Sequence, residues 1–110
     1  MSSKALFIMS TGENEKALTG LTFAYFSKVQ GWFDDVKVVF LGPTERLLVE
    51  DENIRKVAKD MVELDPPVAC KMVSDQQGIS DKLEEMGLTV SFVGDIISGF
   101  VKDGYTPMVW

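Results

Sequence analysis

Histidine is absent from this chain, and cysteine occurs only once, at position 70. The lack of a histidine base argues against a cysteine hydrolase of the papain type. A single cysteine cannot form an internal disulfide, which indicates a reducing compartment and predicts a cytoplasmic protein. No apolar run approaches the roughly 18–20 residues of a membrane span. The run over residues 5–9 is also too short for the core of a signal peptide.

Basic residues are few as well, since 11 Lys and Arg stand against 17 Asp and Glu, a net charge of −6. This balance argues against a nucleic-acid surface or an anionic membrane surface, because both require basic patches. A hydrophobic content of 45% is ordinary for a soluble globular protein. The length predicts one domain over residues 1–110. The sequence contains no metal-ligand cluster, and we expect neither a metal nor a bound cofactor.

Short apolar segments alternate with helical patterns along the chain. The predicted strands are 4–9, 36–41, 68–72, 88–93 and 106–110. The predicted helices are 15–29, a pair within 44–64, one over 74–86 that is interrupted near Gly78, and 95–102. The expected helix starts are Thr44, Asp51, Ser74 with Gln77 at capping-box spacing, and Ser80. Apolar strands alternating with helices predict a three-layer α/β/α sandwich around a mostly parallel five-stranded sheet.

In such a sheet, functional residues gather at the carboxyl ends of the strands. The residues predicted there are Ser10, Thr11, Gly12, Gly42, Cys70, Lys71, Ser74, Asp75, Gly78 and Gly94. Cys70 is the one nucleophile of this group that can carry a transferred group by thiol exchange. A thiolate is stabilised where a strand gives way to a helix N-terminus. Lys71 lies in the predicted strand, where its side chain points to the opposite face of the sheet from Cys70.

Two other interpretations stay open from the residues alone. Free cysteine is among the most buried residue types, so Cys70 can be an inert core residue of a non-catalytic binding or scaffold protein. The loop over residues 10–14 is similar in place to the phosphate loop of flavodoxins, but Glu13 and the following Glu15 favour an ordinary helix start. The apolar tail ending in Trp110 is expected to dock into the core or against a neighbouring subunit.

The segment from Val68 to Ile79 resembles the cysteine segment of the DsrE/DsrF-like family. Cys70 at the end of a strand, a polar helix start, and Gly78 eight positions later match the pattern of that family. The strand and glycine over residues 88–94 are similar to its C-terminal part. The resemblance covers nearly the whole chain and implies a Rossmann-like α/β/α fold.

The same resemblance implies the function and the assembly. Cys70 would be a persulfide carrier that accepts sulfane sulfur from a donor protein and passes it to an acceptor protein. The chain would assemble as a homo-oligomer, a trimer or a hexamer. No direct contact with nucleic acid or membrane is implied.

Overall fold

This computed structural model describes residues 3–110, which form five strands and six helices. The strands are β1 (Lys4–Met9), β2 (Asp35–Phe40), β3 (Val68–Cys70), β4 (Thr89–Ser91) and β5 (Thr106–Val109). The helices are α1 (Asn14–Val29), α2 (Pro43–Glu50), α3 (Glu52–Leu64), α4 (Lys71–Gln77), α5 (Ser80–Glu85) and α6 (Gly94–Lys102).

The strands form one sheet in the order β4-β3-β2-β1-β5, and every neighbouring pair is parallel. Parallel neighbours need a crossover connection, and the helices supply it on both faces of the sheet. The structure therefore confirms the predicted single-domain, three-layer α/β/α sandwich with a Rossmann-like parallel sheet.

The core consists of two apolar layers, one on each face of the sheet. Phe7 and Met9 point to the layer shared with α1, α3 and α5, whereas Leu6 and Ile8 point to the layer under α6. This alternation along a strand explains why β1 has no polar face, since helices cover both sides of the sheet. Cys70 belongs to the layer under α6.

The third strand and the helix after it differ from the prediction at their junction. Strand β3 ends at Cys70 rather than at position 72, and α4 begins at Lys71 rather than at Ser74. Both neighbours of β3 end at about this level, since Phe40 at the end of β2 pairs with Ala69 and Ser91 at the end of β4 pairs with Cys70, so a longer β3 would have no partner. The predicted capping box of Ser74 and Gln77 is therefore wrong, because both residues lie inside α4.

Two of the other predicted helix starts are also wrong, and one is confirmed. Gly42 is the N-cap of α2, and the Thr44 hydroxyl instead donates to the carbonyl oxygen of Thr11 at 2.6 Å. Ile79 rather than Ser80 caps α5. The Asp51 carboxylate does cap α3, since it accepts a hydrogen bond from the Ile54 amide at 3.0 Å.

The C-terminal tail docks into its own domain. Strand β5 pairs with β1, and the Trp110 amide donates to the carbonyl oxygen of Ile8 at 2.9 Å. The Trp110 ring stacks on Phe7 with centroids 6.5 Å apart and meets Phe23 edge-on at 6.4 Å. The tail was expected to dock either into the core or against a neighbouring subunit, and in the structure it packs against the core of its own domain.

Close packing of Trp110 against α1 makes Gly20 a sensitive position. A Cβ atom at Gly20 would lie 2.7 Å from Trp110 Cδ2 and 2.9 Å from Met9 Cε. Alanine usually stabilises a helix interior relative to glycine, but here overpacking should destabilise the protein by about 1–3 kcal/mol. The matched control is Gly99→Ala in α6, where the new methyl group meets nothing within 4 Å. It should stabilise the protein by about 0.5–1 kcal/mol. Urea unfolding of both variants checks this, and a stabilising Gly20→Ala would contradict the packing described.

Candidate functional site

Cys70 stands at the junction of β3 and α4, on the carboxyl edge of the sheet. It is the last residue of β3 and the N-cap residue of α4. Its side chain packs with Leu6, Val39 and Val93, and 6% of the residue is exposed. The N-cap position favours side chains that accept hydrogen bonds from the helix, and Cys70 makes no such bond. Capping therefore does not explain why a cysteine occupies this place.

Lys71 follows Cys70 in the first turn of α4, and its charge is matched within the same helix. Its ammonium nitrogen lies 2.9 Å from a carboxylate oxygen of Asp75. The hydrogen bond that Lys71 donates to Asp75 raises the pKa of Lys71 above its usual value. Hydrogen bonds from Ser80 and then from Lys71 lower the pKa of Asp75. Strand β3 ends before Lys71, so the alternation of a strand, on which its expected placement opposite Cys70 depended, does not apply to it.

Ser74 and Gly78 shape α4 and its connection to α5. Ser74 is fully buried, and its hydroxyl donates to the carbonyl oxygen of Lys71 at 3.2 Å and meets the Ser80 hydroxyl at 2.6 Å. The Ser80 hydroxyl in turn donates to Asp75. Gly78 ends α4 in the left-handed region with φ of 69°, which glycine adopts without strain. These residues fix the segment that follows Cys70.

The loops after β1 and β2 are joined to each other and to the tail. The amides of Ser10 and Thr11 both donate to the main-chain carbonyl oxygen of Trp110, at 2.8 and 3.0 Å. Gly12 lies against Pro43, where a Cβ atom would come within 3.1 Å of the proline Cβ. Gly42 turns the chain with φ of 64°. A phosphate bound in this loop would need free backbone amides as hydrogen-bond donors. Two of the amides of the loop already donate to Trp110, which argues against the flavodoxin-like interpretation.

Exposed apolar side chains flank Cys70, and the sequence analysis missed them. Phe92 lies one residue beyond Ser91, the partner of Cys70, and is 66% exposed. Met72, in the first turn of α4, is 57% exposed. The predicted strands 68–72 and 88–93 placed both residues inside the sheet. Gly94 follows at the exposed start of α6.

Glu45 is a further residue that the sequence analysis missed. It lies in the first turn of α2, which begins at the same edge of the sheet, and it is completely buried. Neither carboxylate oxygen has a hydrogen-bond partner within residues 3–110. Burial raises the pKa of Glu45 to about 8, so the group is mostly neutral at pH 7. No local pattern distinguishes it from an ordinary acidic residue at a helix start.

Metal ligands do not cluster in the part of the chain that the structure describes. Across residues 3–110, no group of three or more His, Cys, Asp or Glu is placed to hold a metal ion. Within the same range, no helix is long and apolar enough to cross a membrane.

Comparison with known proteins shows the fold of this chain and nothing finer. No family model and no curated protein matches it. The fold is similar to that of BT1422, a conserved protein of unknown function from Bacteroides thetaiotaomicron, with a TM-score of 0.84 and 20% sequence identity. The alignment covers 97% of this chain and 95% of that chain.

Proposed function

We propose that this protein carries sulfane sulfur as a persulfide on Cys70. The observation that carries the proposal is the position of Cys70 at the carboxyl edge of a parallel sheet, on the N-cap of α4. Chemistry in this class of fold gathers at that edge, and a helix start favours a negatively charged sulfur. The spacing of Cys70 and Gly78, which resembles the DsrE/DsrF-like family, supports the same role.

The proposed reaction is an exchange at sulfur with no external oxidant. The Cys70 thiolate attacks the terminal sulfur of a donor persulfide, R–S–SH, and a new S–S bond forms on Cys70. The S–S bond of the donor breaks, and the donor leaves as a thiolate that takes up the proton released by Cys70. An acceptor thiolate then removes the same sulfur by the reverse type of step. With one cysteine in the chain, discharge must go to another molecule.

The proposed partners are a donor protein and an acceptor protein, in the cytoplasm. The exposed side chains of Met72 and Phe92 give such a protein an apolar contact beside Cys70. By the family resemblance, the protein acts as a homo-oligomer, a trimer or a hexamer. Its net charge of −6 gives no support to direct binding of nucleic acid or of an anionic membrane.

A second candidate function is an oligomeric binding or scaffold protein in which Cys70 is inert. The observation that favours it is the apolar packing of Cys70 against Leu6, Val39 and Val93, with 6% of the residue exposed. A cysteine in such surroundings is a small core residue rather than a reactive thiol.

Thiol labelling in the folded state separates the two functions. For a carrier, we expect Cys70 to react with an alkylating reagent at a rate that stays constant over low urea concentrations, because the thiol is reached in the native fold. For an inert cysteine, labelling requires global unfolding, and its rate rises exponentially with urea. Intact-mass measurement follows the reaction, and the Cys70→Ser variant gives the background. A rate that tracks global unfolding would contradict the carrier function.

A further inference from the structure

The carboxyl edge of the sheet, where Cys70 lies, carries very little positive charge. Residues 10–13, 41–42, 71–75 and 92–95 directly follow the first four strands, and Lys71 is the only basic residue among them. The acidic residues of the same segments are Glu13, Asp75 and Asp95. An anionic substrate that approaches Cys70 therefore depends on Lys71 for a countercharge.

The charge of Lys71 is already neutralised by Asp75. The ammonium nitrogen lies 2.9 Å from Asp75 Oδ2, and the other oxygen, Asp75 Oδ1, accepts a hydrogen bond from the Ser80 hydroxyl. The Ser80 hydroxyl in turn meets the hydroxyl of Ser74, which is fully buried, at 2.6 Å. Both carboxylate oxygens are therefore engaged, and the carboxylate is held from within the fold more firmly than in an isolated surface ion pair.

Helix stability does not explain this ion pair. Lys71 lies in the first turn of α4, and Asp75 lies one turn later. A base near the start of a helix and an acid near its end both oppose the helix dipole, and a base before an acid is the less favourable order at this spacing. The opposite order would stabilise α4 better. The position of the pair, directly after Cys70, points instead to a role in the chemistry of the thiol.

We infer that Asp75 is a specificity-determining residue, which cancels the charge of Lys71 and makes Cys70 a carrier for persulfide sulfur and not for the sulfur of thiosulfate. The inference deepens the proposed function and rests on it. A persulfide donor, R–S–SH, brings no fixed charge at its reacting sulfur atoms and needs no cation beside Cys70. Thiosulfate brings two negative charges, and both stay on the sulfite that leaves.

The thiosulfate reaction would gather three negative charges in one place. The Cys70 thiolate would attack the outer sulfur of thiosulfate, and a new S–S bond would form on Cys70. The S–S bond of thiosulfate would break, and sulfite would leave with the electron pair of that bond. A preorganised cation is the group that stabilises such a concentration of charge. Lys71 cannot serve as that cation while it is paired, and the net charge of −6 adds repulsion at longer range.

Sulfur loading from two donors tests the inference. The folded, reduced protein is incubated at low ionic strength with thiosulfate, or with a cysteine desulfurase and cysteine, and intact mass gives the rate at which one sulfur atom is added. We expect the wild type to load readily from the desulfurase and at most slowly from thiosulfate. Asp75→Asn should load from thiosulfate at least about 5-fold faster than the wild type, because it releases a cation to face a dianion. The asparagine oxygen can still accept the hydrogen bond from Ser80.

Three further variants show whether the effect passes through Lys71. Adding Lys71→Gln to Asp75→Asn should return the thiosulfate rate to the wild-type level. Glu85→Gln, at an exposed position of α5, makes the same change in net charge and should leave the thiosulfate rate unchanged. Lys71→Gln alone keeps the inference testable if Asp75→Asn fails to fold. It should load from the desulfurase within about 2-fold of the wild-type rate, because a neutralised lysine is not used.

Failure of the inference and failure of the proposed function give different results. Wild-type loading from thiosulfate as fast as from the desulfurase, or an unchanged thiosulfate rate in Asp75→Asn, would overturn the inference and leave the persulfide function standing. A large loss of desulfurase loading in Lys71→Gln would do the same. Loading of the wild type from neither donor would contradict the persulfide function itself, and with it the inference.

Discussion

Replacing Glu45 by glutamine should raise the free energy of unfolding by roughly 1–3 kcal/mol at pH 7. The carboxyl group is fully buried, neither oxygen has a partner within residues 3–110, and its pKa is raised from 4.5 to about 8. At pH 7 the folded protein must keep this group protonated, whereas the unfolded chain releases the proton. Glutamine keeps the shape of the side chain and removes this difference, which is on the order of 3 kcal/mol. Its amide N–H groups would lack partners at the same site, and that cost offsets part of the gain.

The pH dependence of stability identifies Glu45 as the source of the effect. Because the folded pKa lies above the unfolded value, the folded state binds the extra proton between pH 4.5 and about 8. Stability attributable to this group is therefore highest below pH 4.5 and is lost as the pH rises through 8. Urea unfolding from pH 5 to 9 should show this slope in the wild type and not in Glu45→Gln.

Glu50→Gln on the same helix is the matched control for this effect. Glu50 is exposed and pairs with Arg46 at 3.4 Å, so its replacement should leave the slope in place. A wild-type stability curve that is flat between pH 5 and 8 would show that Glu45 is hydrated or paired in solution.

Truncation of Trp110 should lower the free energy of unfolding, whereas Glu45→Gln should raise it. Trp110→Ala removes the ring that stacks on Phe7 and meets Phe23, and it leaves a cavity between α1 and the sheet. Because Trp110 is half-buried, its loss should cost somewhat less than that of a fully buried tryptophan, about 2–4 kcal/mol. Urea unfolding at pH 7 should therefore show a lower midpoint with a similar dependence on urea.

Trp110→Phe separates packing from the polar edge of the ring. The indole nitrogen is buried and has no hydrogen-bond partner among residues 3–110, so its removal relieves an unsatisfied donor. We expect this variant to lose much less stability than Trp110→Ala. If Trp110→Ala unfolds within about 1 kcal/mol of the wild type, the tail is not part of the core as described.

The sheet could be predicted from the sequence because its signal is local and repeated. Residues 5–9 of β1 and residues 38–40 of β2 are apolar on both faces, and that pattern is typical of a parallel sheet covered by helices on both sides. The start of α3 at Asp51 was also readable, since a carboxylate before a helical pattern is a strong capping signal. These features depend on residues within one element.

The junction around Cys70 was not predictable in the same way. The end of β3 depends on where β4 ends, which is a pairing between distant residues. Ser74 and Thr44 were misread as caps because their hydroxyls serve tertiary hydrogen bonds, with Ser80 and Thr11 respectively. The burial of Glu45 likewise follows from how the helices pack, and an acidic residue in a first turn normally faces water.

Sulfur loading of the folded, reduced protein tests the central proposal most directly. The protein is incubated with a cysteine desulfurase and cysteine, or with polysulfide, and its intact mass is compared with that of Cys70→Ser. We predict the addition of one sulfur atom, removable by reductant and absent from the variant. The absence of any addition with either donor, or equal addition to Cys70→Ser, would contradict a persulfide on Cys70.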